Sequence, residues 1–173
     1  MNSSILGVNP YSWLPHVDAR GKWQRVWDPK NFAELGENLL AEQISVSTNP
    51  LTGTLRGLHY LEEIAGEWKA VICVQGKVQD VVVDMRESSS AYRGHQSFHL
   101  DGDSNDGLLV PPGCAHGFLT LSPNTILIYI MSVPYDFELE RALRWDDPAL
   151  AISWDAVPKL VSERDQNHEL IDS

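Results

Sequence analysis

Residues 68–85, with the sequence WKAVICVQGKVQDVVVDM, decide the fold class of this chain. Two runs rich in β-branched residues, 68–75 and 77–85, have the composition of strands, and the single glycine between them, Gly76, predicts a hairpin. Turn sequences rich in glycine, proline, aspartate, asparagine and serine separate further strands, which we expect at 94–100, 107–110, 116–121 and 125–132. Several short strands at this spacing predict an all-β sandwich or barrel.

One domain accounts for the whole chain of 173 residues, since single domains cluster near about 100–150 residues. We expect an N-terminal extension at about 1–41, the barrel at about 42–132, and a C-terminal region at about 133–173. Within that last region, 144–155 predicts turns with one short strand, and 162–170 predicts a short helix.

A second short helix is predicted in the N-terminal extension. Asp28 followed by Pro29 supplies a helix cap and a first helical residue, and Phe32, Leu35 and Leu39 then recur at helical spacing. The predicted fold class is therefore all-β with a few short helices.

Charge and hydropathy exclude two classes of partner. Thirteen Lys and Arg against 24 Asp and Glu leave a net charge of −11, which repels a phosphate backbone, so we expect no nucleic-acid partner. No apolar run approaches the roughly 18–20 residues that cross a bilayer, and no signal-peptide pattern is present. Cys73 and Cys114 are too few for a disulfide scaffold or a four-thiolate zinc site. We therefore expect a cytoplasmic protein without a membrane partner.

The first segment that suggests chemistry is GTLRGLHY at 53–60. Its glycines allow the backbone to pass close to a ligand, and Arg56 three residues before His59 would place an anion-binding group beside a proton-transfer group. The alternative is a turn with a surface arginine and a histidine bonded to backbone. The segment alone leaves both interpretations open.

The segment PPGCAHGF at 111–118 has the PxGxxH pattern of the second motif of cupin β-barrels, in which the histidine often binds a metal. The first cupin motif, with two histidines and a glutamate, is missing around His59. Because a metal site needs three or four ligands, His116 indicates the cupin scaffold without a complete metal site. His95 and His99 lie near a predicted strand end and could be recruited as further metal ligands, but we expect them to be solvated.

Three other residues are notable, and each has a structural interpretation. Two of them, Lys69 and Asp165, have a chemical interpretation as well. Lys69 begins a strand, and is either a lysine that extends to water or a cation inside a barrel mouth. Tyr129 points away from the isoleucines beside it, as an amphipathic core residue whose hydroxyl finds a partner. Asp165, in Ser162-Glu163-Arg164-Asp165, is either a helix-capping residue or the partner that fixes a histidine tautomer.

Taken together and in this order, these segments resemble the dTDP-4-dehydrorhamnose 3,5-epimerases, a family of cupin-fold nucleotide-sugar epimerases. The resemblance extends from about Asp18 to Asp165. It is carried by DARG (18–21), QISVS (43–47), GTLRGLHY (53–60), WK (68–69), GKVQDVVVDMR (76–86), PPGCAHGFLTLS (111–122), the Tyr129 strand, RWDDPALAISW (144–154) and LVSERD (160–165). It implies a cupin-type β-sandwich or jelly-roll barrel.

The resemblance also implies the catalytic groups. His59 would be the base that removes a carbon-bound proton, and Asp165 would orient it. Tyr129, twelve residues after Gly117, would deliver a proton to the opposite face of the sugar, and Lys69 would lie near the sugar ketone. Neither a metal nor another cofactor is implied.

Substrate contacts are implied for Arg56, Arg20, Trp23, Gln43, Ser45 and His116. Arg56 and Arg20 would contact the diphosphate, and His116 would line the pocket. Members of the family are homodimers in which an N-terminal strand crosses to the partner barrel. Arg20 and Trp23 are therefore expected to complete the neighbour's site.

The predicted function is a cofactor-independent isomerase: an epimerase of a nucleotide-linked 4-keto-6-deoxyhexose, acting at C3 or at C3 and C5, in deoxysugar or O-antigen-type polysaccharide biosynthesis. Departures from the family pattern include Ser45 in place of an asparagine and Leu61 in place of a glutamine, so dTDP and CDP both remain as the nucleotide. The alternatives are a metal-dependent cupin enzyme and a non-catalytic sugar-nucleotide binding protein.

Overall fold

The computed structural model describes residues 4–12, 14–34, 40–104 and 106–171. Within these ranges the chain forms thirteen strands and two short α-helices, together with a 3₁₀ turn at Glu63–Ala65. The strands are β1 (Asn9–Ser12), β2 (His16–Asp18), β3 (Gly21–Trp23), β4 (Gln43–Asn49), β5 (Thr54–Leu61), β6 (Lys69–Gln75), β7 (Lys77–Asp84), β8 (His95–Asp101), β9 (Asp106–Val110), β10 (Cys114–Thr120), β11 (Thr125–Met131), β12 (Glu140–Ala142) and β13 (Leu160–Val161). The helices are α1 (Pro29–Glu34) and α2 (Glu163–Gln166).

Two sheets pack face to face. One has the strand order β1-β9-β6-β11-β4, and the other has the order β12-β5-β10-β7-β8, with β13 parallel to β5. Apolar side chains from both sheets fill the space between them, among them Val71 and Leu127 from the first sheet and Val82 and Phe118 from the second. The predicted all-β sandwich is confirmed, and each strand predicted between 68 and 132 is present to within two residues at its ends.

The hairpin predicted at Gly76 is wrong. β6 pairs with β9 and β11, whereas β7 pairs with β8 and β10, so the two strands lie in opposite sheets. Gly76 forms the corner between the sheets with a φ of 78°, in the left-handed region. A Cβ at this position would collide with Thr125 and would lie 2.8 Å from Ser122 Oγ. A hairpin turn and a corner between sheets both use a glycine with positive φ, so the local sequence does not distinguish them.

Gly76→Ala is expected to lower the free energy of unfolding by about 1–3 kcal/mol from the left-handed backbone alone, with a further loss from the collision at Thr125. Urea unfolding followed by fluorescence measures the change. Gly66→Ala is the matched control, because Gly66 has a φ of 67° but no atom within 4 Å of the added Cβ. Equal losses in the two variants would show that the corner is not tightly packed.

The N-terminal helix α1 covers the outer face of the first sheet. Asp28 Oδ1 accepts the Lys30 N–H at 3.0 Å, and α1 begins at Pro29, as predicted. Phe32 is fully buried against apolar side chains of β6, β9 and β11. Leu35 and Leu39, which belong to the same prediction, lie outside the described residues. Neither described helix is long and apolar enough to span a membrane.

The C-terminal region covers the outer face of the second sheet. Leu143 and Leu150 are buried against apolar residues of β5, β7 and β10, and Trp154 packs beside them. The short strand predicted within 144–155 is wrong, because this segment forms turns, and the strands of the tail, β12 and β13, lie on either side of it. The predicted helix in 162–170 is present as α2.

Among the strands of the described residues, the β2–β3 hairpin pairs with none from either sheet. All of its residues from His16 to Trp23 are exposed, with Val17 at 73% and Trp23 at 57%. The exposed apolar side chains of Val17 and Trp23 are surface that contact with another protein chain would bury.

Candidate active site

A cavity of about 760 Å³ opens between the two sheets. Its volume is within the range of small-molecule sites. Side chains from β4, β6 and β11 line one wall, and side chains from β5, β10 and the C-terminal region line the other. Its polar lining residues include Gln43, Ser47, Arg56, His59, Glu67, Lys69, His116, Tyr129, Tyr135, Glu140, Arg164 and Asp165.

His59 and Asp165 form a hydrogen-bonded pair on one wall. His59 Nε2 lies 2.8 Å from Asp165 Oδ1, and the Gly57 N–H donates to Asp165 Oδ2 at 3.3 Å. Asp165 is 4% exposed, whereas His59 reaches the cavity. Because an ionised carboxylate only accepts hydrogen bonds, Nε2 carries the shared proton and Nδ1 is left as the basic nitrogen. The pair has the geometry of an oriented general base.

Asp165 reaches His59 because the C-terminal region returns along β5. β13 pairs with the start of β5, with Leu160 opposite Thr54, and α2 follows immediately. Ser162 caps α2, since its Oγ accepts the Asp165 N–H at 3.1 Å. The capping interpretation and the histidine-partner interpretation therefore both apply to this segment.

The charge of Asp165 is stabilised by its neighbours. Burial raises the pKa of the Asp165 carboxyl, but the hydrogen bond and charge of His59 and the Gly57 N–H outweigh it, so the net pKa lies below its ordinary value. The carboxylate stays ionised at neutral pH and holds the His59 ring in one tautomer.

The glycine between Arg56 and His59 serves strand packing. Gly57 has a φ of 114°, and a Cβ there would lie 2.7 Å from Gly117 Cα and 2.8 Å from the His116 carbonyl oxygen. Within the chain this backbone approaches β10, and the expectation that it also passes close to a ligand stays a prediction. The close approach brings His59 directly opposite His116 in the register of β5 and β10.

Lys69 lies on the opposite wall, at the start of β6. Its side chain is 15% exposed, and its Nζ is 3.2 Å from Glu67 Oε2, which is similarly buried. Lys69 is thus a cation inside the cavity rather than a lysine that extends to water.

Tyr129 lies on the same wall as Lys69, on β11, and Ser47 of β4 also lines the cavity. Burial, and then the charge of Asp80, raise the pKa of Tyr129 above its ordinary value. The phenol therefore remains protonated at neutral pH. Its ring is edge-on to that of His116, with 6.1 Å between the centroids. A proton-donating group thus faces the wall that holds His59.

His116, the histidine of the cupin motif, forms a hydrogen bond with a buried carboxylate. His116 Nε2 lies 2.7 Å from Asp80 Oδ2, and both side chains are buried. Burial raises the pKa of the Asp80 carboxyl, and the charge and hydrogen bond of His116 only partly offset the rise. His99, by contrast, is exposed and pairs with Asp155 on the surface.

Two basic side chains stand at the mouth of the cavity. Arg56 Nε donates to Asn49 Oδ1 at 2.9 Å, and within the described residues no other hydrogen bond of this guanidinium is found, so its other nitrogens can contact a ligand. Arg164 Nη2 donates to Glu140 Oε2 at 2.6 Å, and the Tyr135 hydroxyl donates to the same oxygen at 2.7 Å. The mouth can therefore contact an anionic group of a ligand.

Three predicted binding residues lie apart from this cavity within one chain. Ser45 does not line it, although Gln43, which does, donates to Ser45 Oγ at 3.4 Å. Arg20 and Trp23 line a separate, smaller depression on the exposed β2–β3 hairpin, where Arg20 forms an ion pair with Asp18.

The family model of the dTDP-4-dehydrorhamnose 3,5-epimerases matches residues 2–173. The chain belongs to this family. A dTDP-4-dehydrorhamnose 3,5-epimerase of Sinorhizobium fredii is 39% identical over 155 residues, 87% of this chain and 77% of that protein. A dTDP-4-dehydrorhamnose 3-epimerase of Streptomyces niveus is 36% identical over 168 residues, 96% of this chain and 81% of that protein.

A solved member of the family agrees in fold. The crystal structure of the dTDP-4-dehydrorhamnose 3,5-epimerase of Bacillus anthracis, with TDP and PPi bound, is 30% identical and has a TM-score of 0.90 over 97% of each chain. The predicted family and cupin-type fold are confirmed, and the chain is an isomerase, an epimerase of the deoxysugar class. The bound TDP of that relative supports a nucleotide sugar as the ligand class.

The site residues predicted from the sequence do not include two carboxylates of the site, Asp80 and Glu67. Asp80 shares a strand face with Val78 and Val82, both of which point into the space between the sheets. The sequence does show that Asp80 lies between two apolar residues of one strand face, and a carboxylate at such a position predicts a buried functional group. Glu67, two residues before Lys69, lies on the same side of the extended chain, but nothing in the local sequence shows that it is buried.

Proposed function

We propose that this epimerase acts on a nucleotide-linked 4-keto-6-deoxyhexose without a cofactor, at C3 or at C3 and C5. The observation that supports the proposal is the division of groups between two walls of one cavity. The oriented base His59 lies on one wall, and the cation Lys69 and the phenol Tyr129 lie on the other. Inversion of a stereocentre requires a base and an acid on opposite sides of the sugar ring.

In the proposed mechanism, Nδ1 of His59 takes the proton from the carbon next to the ketone. The C–H electron pair forms a carbon–carbon double bond, and the ketone oxygen becomes an enolate. Lys69 stabilises that negative charge, and one such donor typically contributes about 2.7–4 kcal/mol. Asp165 stabilises the imidazolium that His59 has become.

Tyr129 then gives its proton to the same carbon from the opposite face. The double-bond electrons form the new C–H bond, the ketone is restored, and the tyrosine is left as a phenolate. Because burial and Asp80 raise the pKa of Tyr129, the phenolate regains a proton readily. The proton on His59 returns to solvent, and neither electrons nor a further reactant are required.

A nuclear magnetic resonance time course in heavy water tests this function. We expect deuterium to enter the sugar beside the ketone while its configuration inverts. Running dTDP- and CDP-4-keto-6-deoxyglucose in parallel identifies the nucleotide, and the labelled carbons identify C3 or both centres. No exchange with dTDP-, CDP- or GDP-linked ketosugars would refute the proposal.

Arg56 is proposed to bind the diphosphate of the substrate. Arg56→Lys replaces a planar, multidentate donor with a point charge, so we expect KM to rise by about tenfold with kcat nearly unchanged. Steady-state kinetics measure both constants. Arg144→Lys, at a partly exposed arginine paired with Asp146 outside the cavity, is the control and should leave both constants at their wild-type values.

We further propose a homodimer in which the β2–β3 hairpin reaches the neighbouring cavity. The hairpin is fully exposed, and Ile44 and Val46 on β4 add exposed apolar surface at 58% and 64%. We expect sedimentation at twice the chain mass of 19.4 kDa. If Arg20 completes the neighbour's site, mixing inactive Arg20→Ala and His59→Ala proteins should restore part of the activity. A monomer, or a mixture that stays inactive, would contradict the exchange of hairpins.

A cytoplasmic location is proposed on chemical grounds. Cys73 and Cys114 are both free and buried, and burial raises the pKa of each thiol to about 12. Free thiols suit a reducing compartment.

A further inference from the structure

We propose that His59, Asp165 and His168 form a binding site for one divalent transition metal ion of the zinc class, and that occupancy of this site switches off the base. The inhibitory part of the inference rests on the proposed function, whereas the binding part stands on the geometry alone. One ligand atom from each of the three residues lies within 4.8 Å of the other two.

Two of the three distances between ligand atoms are close to those of a four-coordinate ion. His59 Nε2 and Asp165 Oδ1 are 2.8 Å apart, and His168 Nε2 and Asp165 Oδ1 are 3.9 Å apart. Zinc bonds to nitrogen and oxygen are about 2.0–2.2 Å long, so two ligand atoms of a tetrahedral site lie about 3.3–3.5 Å apart. Both observed distances reach that range with shifts of about half an ångström.

His168 supplies the observation that points to a ligand. Its Nε2 is buried and has no hydrogen-bond partner among the described residues. Its ring is edge-on to that of His59, with 6.3 Å between the centroids. A buried polar atom without a partner typically costs about 1–3 kcal/mol, and a metal bond to this nitrogen would remove that cost.

The surroundings favour a cation. Asp165 provides a buried negative charge, and two imidazoles with one carboxylate are a common ligand set for divalent transition metals. Arg164, the neighbouring cation, is bonded to Glu140 rather than to Asp165. The net charge of −11 also attracts cations to the protein.

Metal binding would remove the base through the His59 tautomer. In the free protein, Nε2–H donates to Asp165 and Nδ1 has the free electron pair. A metal ion on Nε2 uses the electron pair of that nitrogen, so the single proton of the neutral ring moves to Nδ1 through solvent. An Nδ1–H group cannot accept a proton from the sugar, and the Asp165 oxygen that orients His59 is also occupied.

This site differs from the metal position that the cupin motif at 111–118 would suggest. The histidine of that motif, His116, bonds to Asp80 and is not among the three clustered residues. The ion inferred here would inhibit the enzyme and would take no part in turnover.

Isothermal titration of the full chain with zinc chloride tests the binding. We expect one saturable site in the wild-type protein and an affinity lowered by about tenfold or more in His168→Gln, as losses in metal sites typically are. His99→Gln, which removes an exposed histidine that also pairs with an aspartate, is the matched control and should bind as the wild type does. Thermal unfolding shows whether each variant is folded. If His168→Gln does not fold, His168→Asn replaces it in the same experiment.

Activity supplies the second readout. Zinc should stop deuterium exchange in the wild-type protein, a chelator should restore it, and His168→Gln should need about tenfold more zinc for the same inhibition. Absence of a saturable site, or equal affinity in wild type and His168→Gln, overturns the metal site whatever the catalytic outcome. Binding that depends on His168 but leaves exchange unaffected overturns only the inhibitory role.

Discussion

His59→Ala is expected to lower both epimerisation and deuterium exchange by about 10²–10⁴-fold, the range for loss of a positioned general base. The reason is geometric. In the described part of the cavity, His59 is the imidazole that an ionised, buried Asp165 holds in one tautomer, and its Nδ1 is the nitrogen left to accept a proton. Proton nuclear magnetic resonance in heavy water follows inversion and exchange in one sample.

His99→Ala is the matched control for this prediction. His99 also pairs with an aspartate, Asp155, at 2.5 Å, but it lies on the surface with its side chain 67% exposed. Its replacement should leave exchange unchanged. Exchange at the wild-type rate in His59→Ala would assign the base to another group, provided that the variant still binds the nucleoside diphosphate.

Tyr129→Phe is expected to separate exchange from inversion. The base on the other wall is intact in this variant, so His59 still removes the proton and returns a deuteron to the same face. Deuterium therefore enters the sugar with retained configuration, whereas net inversion falls by about 10²–10⁴-fold because the opposite face has no proton donor. The two outcomes are read from the deuterium content and from the ring coupling constants of the sugar.

Tyr92→Phe serves as the control for Tyr129→Phe, because it removes a phenol that is 38% exposed on the surface. It should leave inversion and exchange at wild-type rates. Inversion at the wild-type rate in Tyr129→Phe would exclude this tyrosine as the acid. Loss of exchange together with inversion would show that the hydroxyl is needed before the proton is removed.

Strand positions followed from the sequence because alternation and turn residues are local properties. The pairing of strands is not local, and the corner at Gly76 shows the difference. The runs 68–75 and 77–85 are compatible with a hairpin as well, and only their pairing with other strands places them in different sheets. The short strand expected in 144–155 failed for a related reason, since Leu150 and Trp154 pack against the second sheet from a segment that pairs with no strand.

The candidate catalytic groups were predicted only through the family resemblance. The alternation of β6 and β11 gave the strand faces of Lys69 and Tyr129 but left open whether Lys69 extends to water or lies in the cavity. Nothing in the local sequence brings Asp165 to His59 across 106 residues. The Asp80–His116 pair and the His168 contact also depend on tertiary packing. Arg20 and Trp23 lie on a hairpin away from the cavity of their own chain, and their place in a neighbour's site stays a prediction.

The return of the C-terminal region along β5 makes the base depend on a small docking contact. The carboxylate that orients His59 is presented by the two-residue strand β13 and the short helix α2, and not by the long strands of the two main sheets. Local detachment of this segment would leave the sandwich folded and the imidazole unoriented.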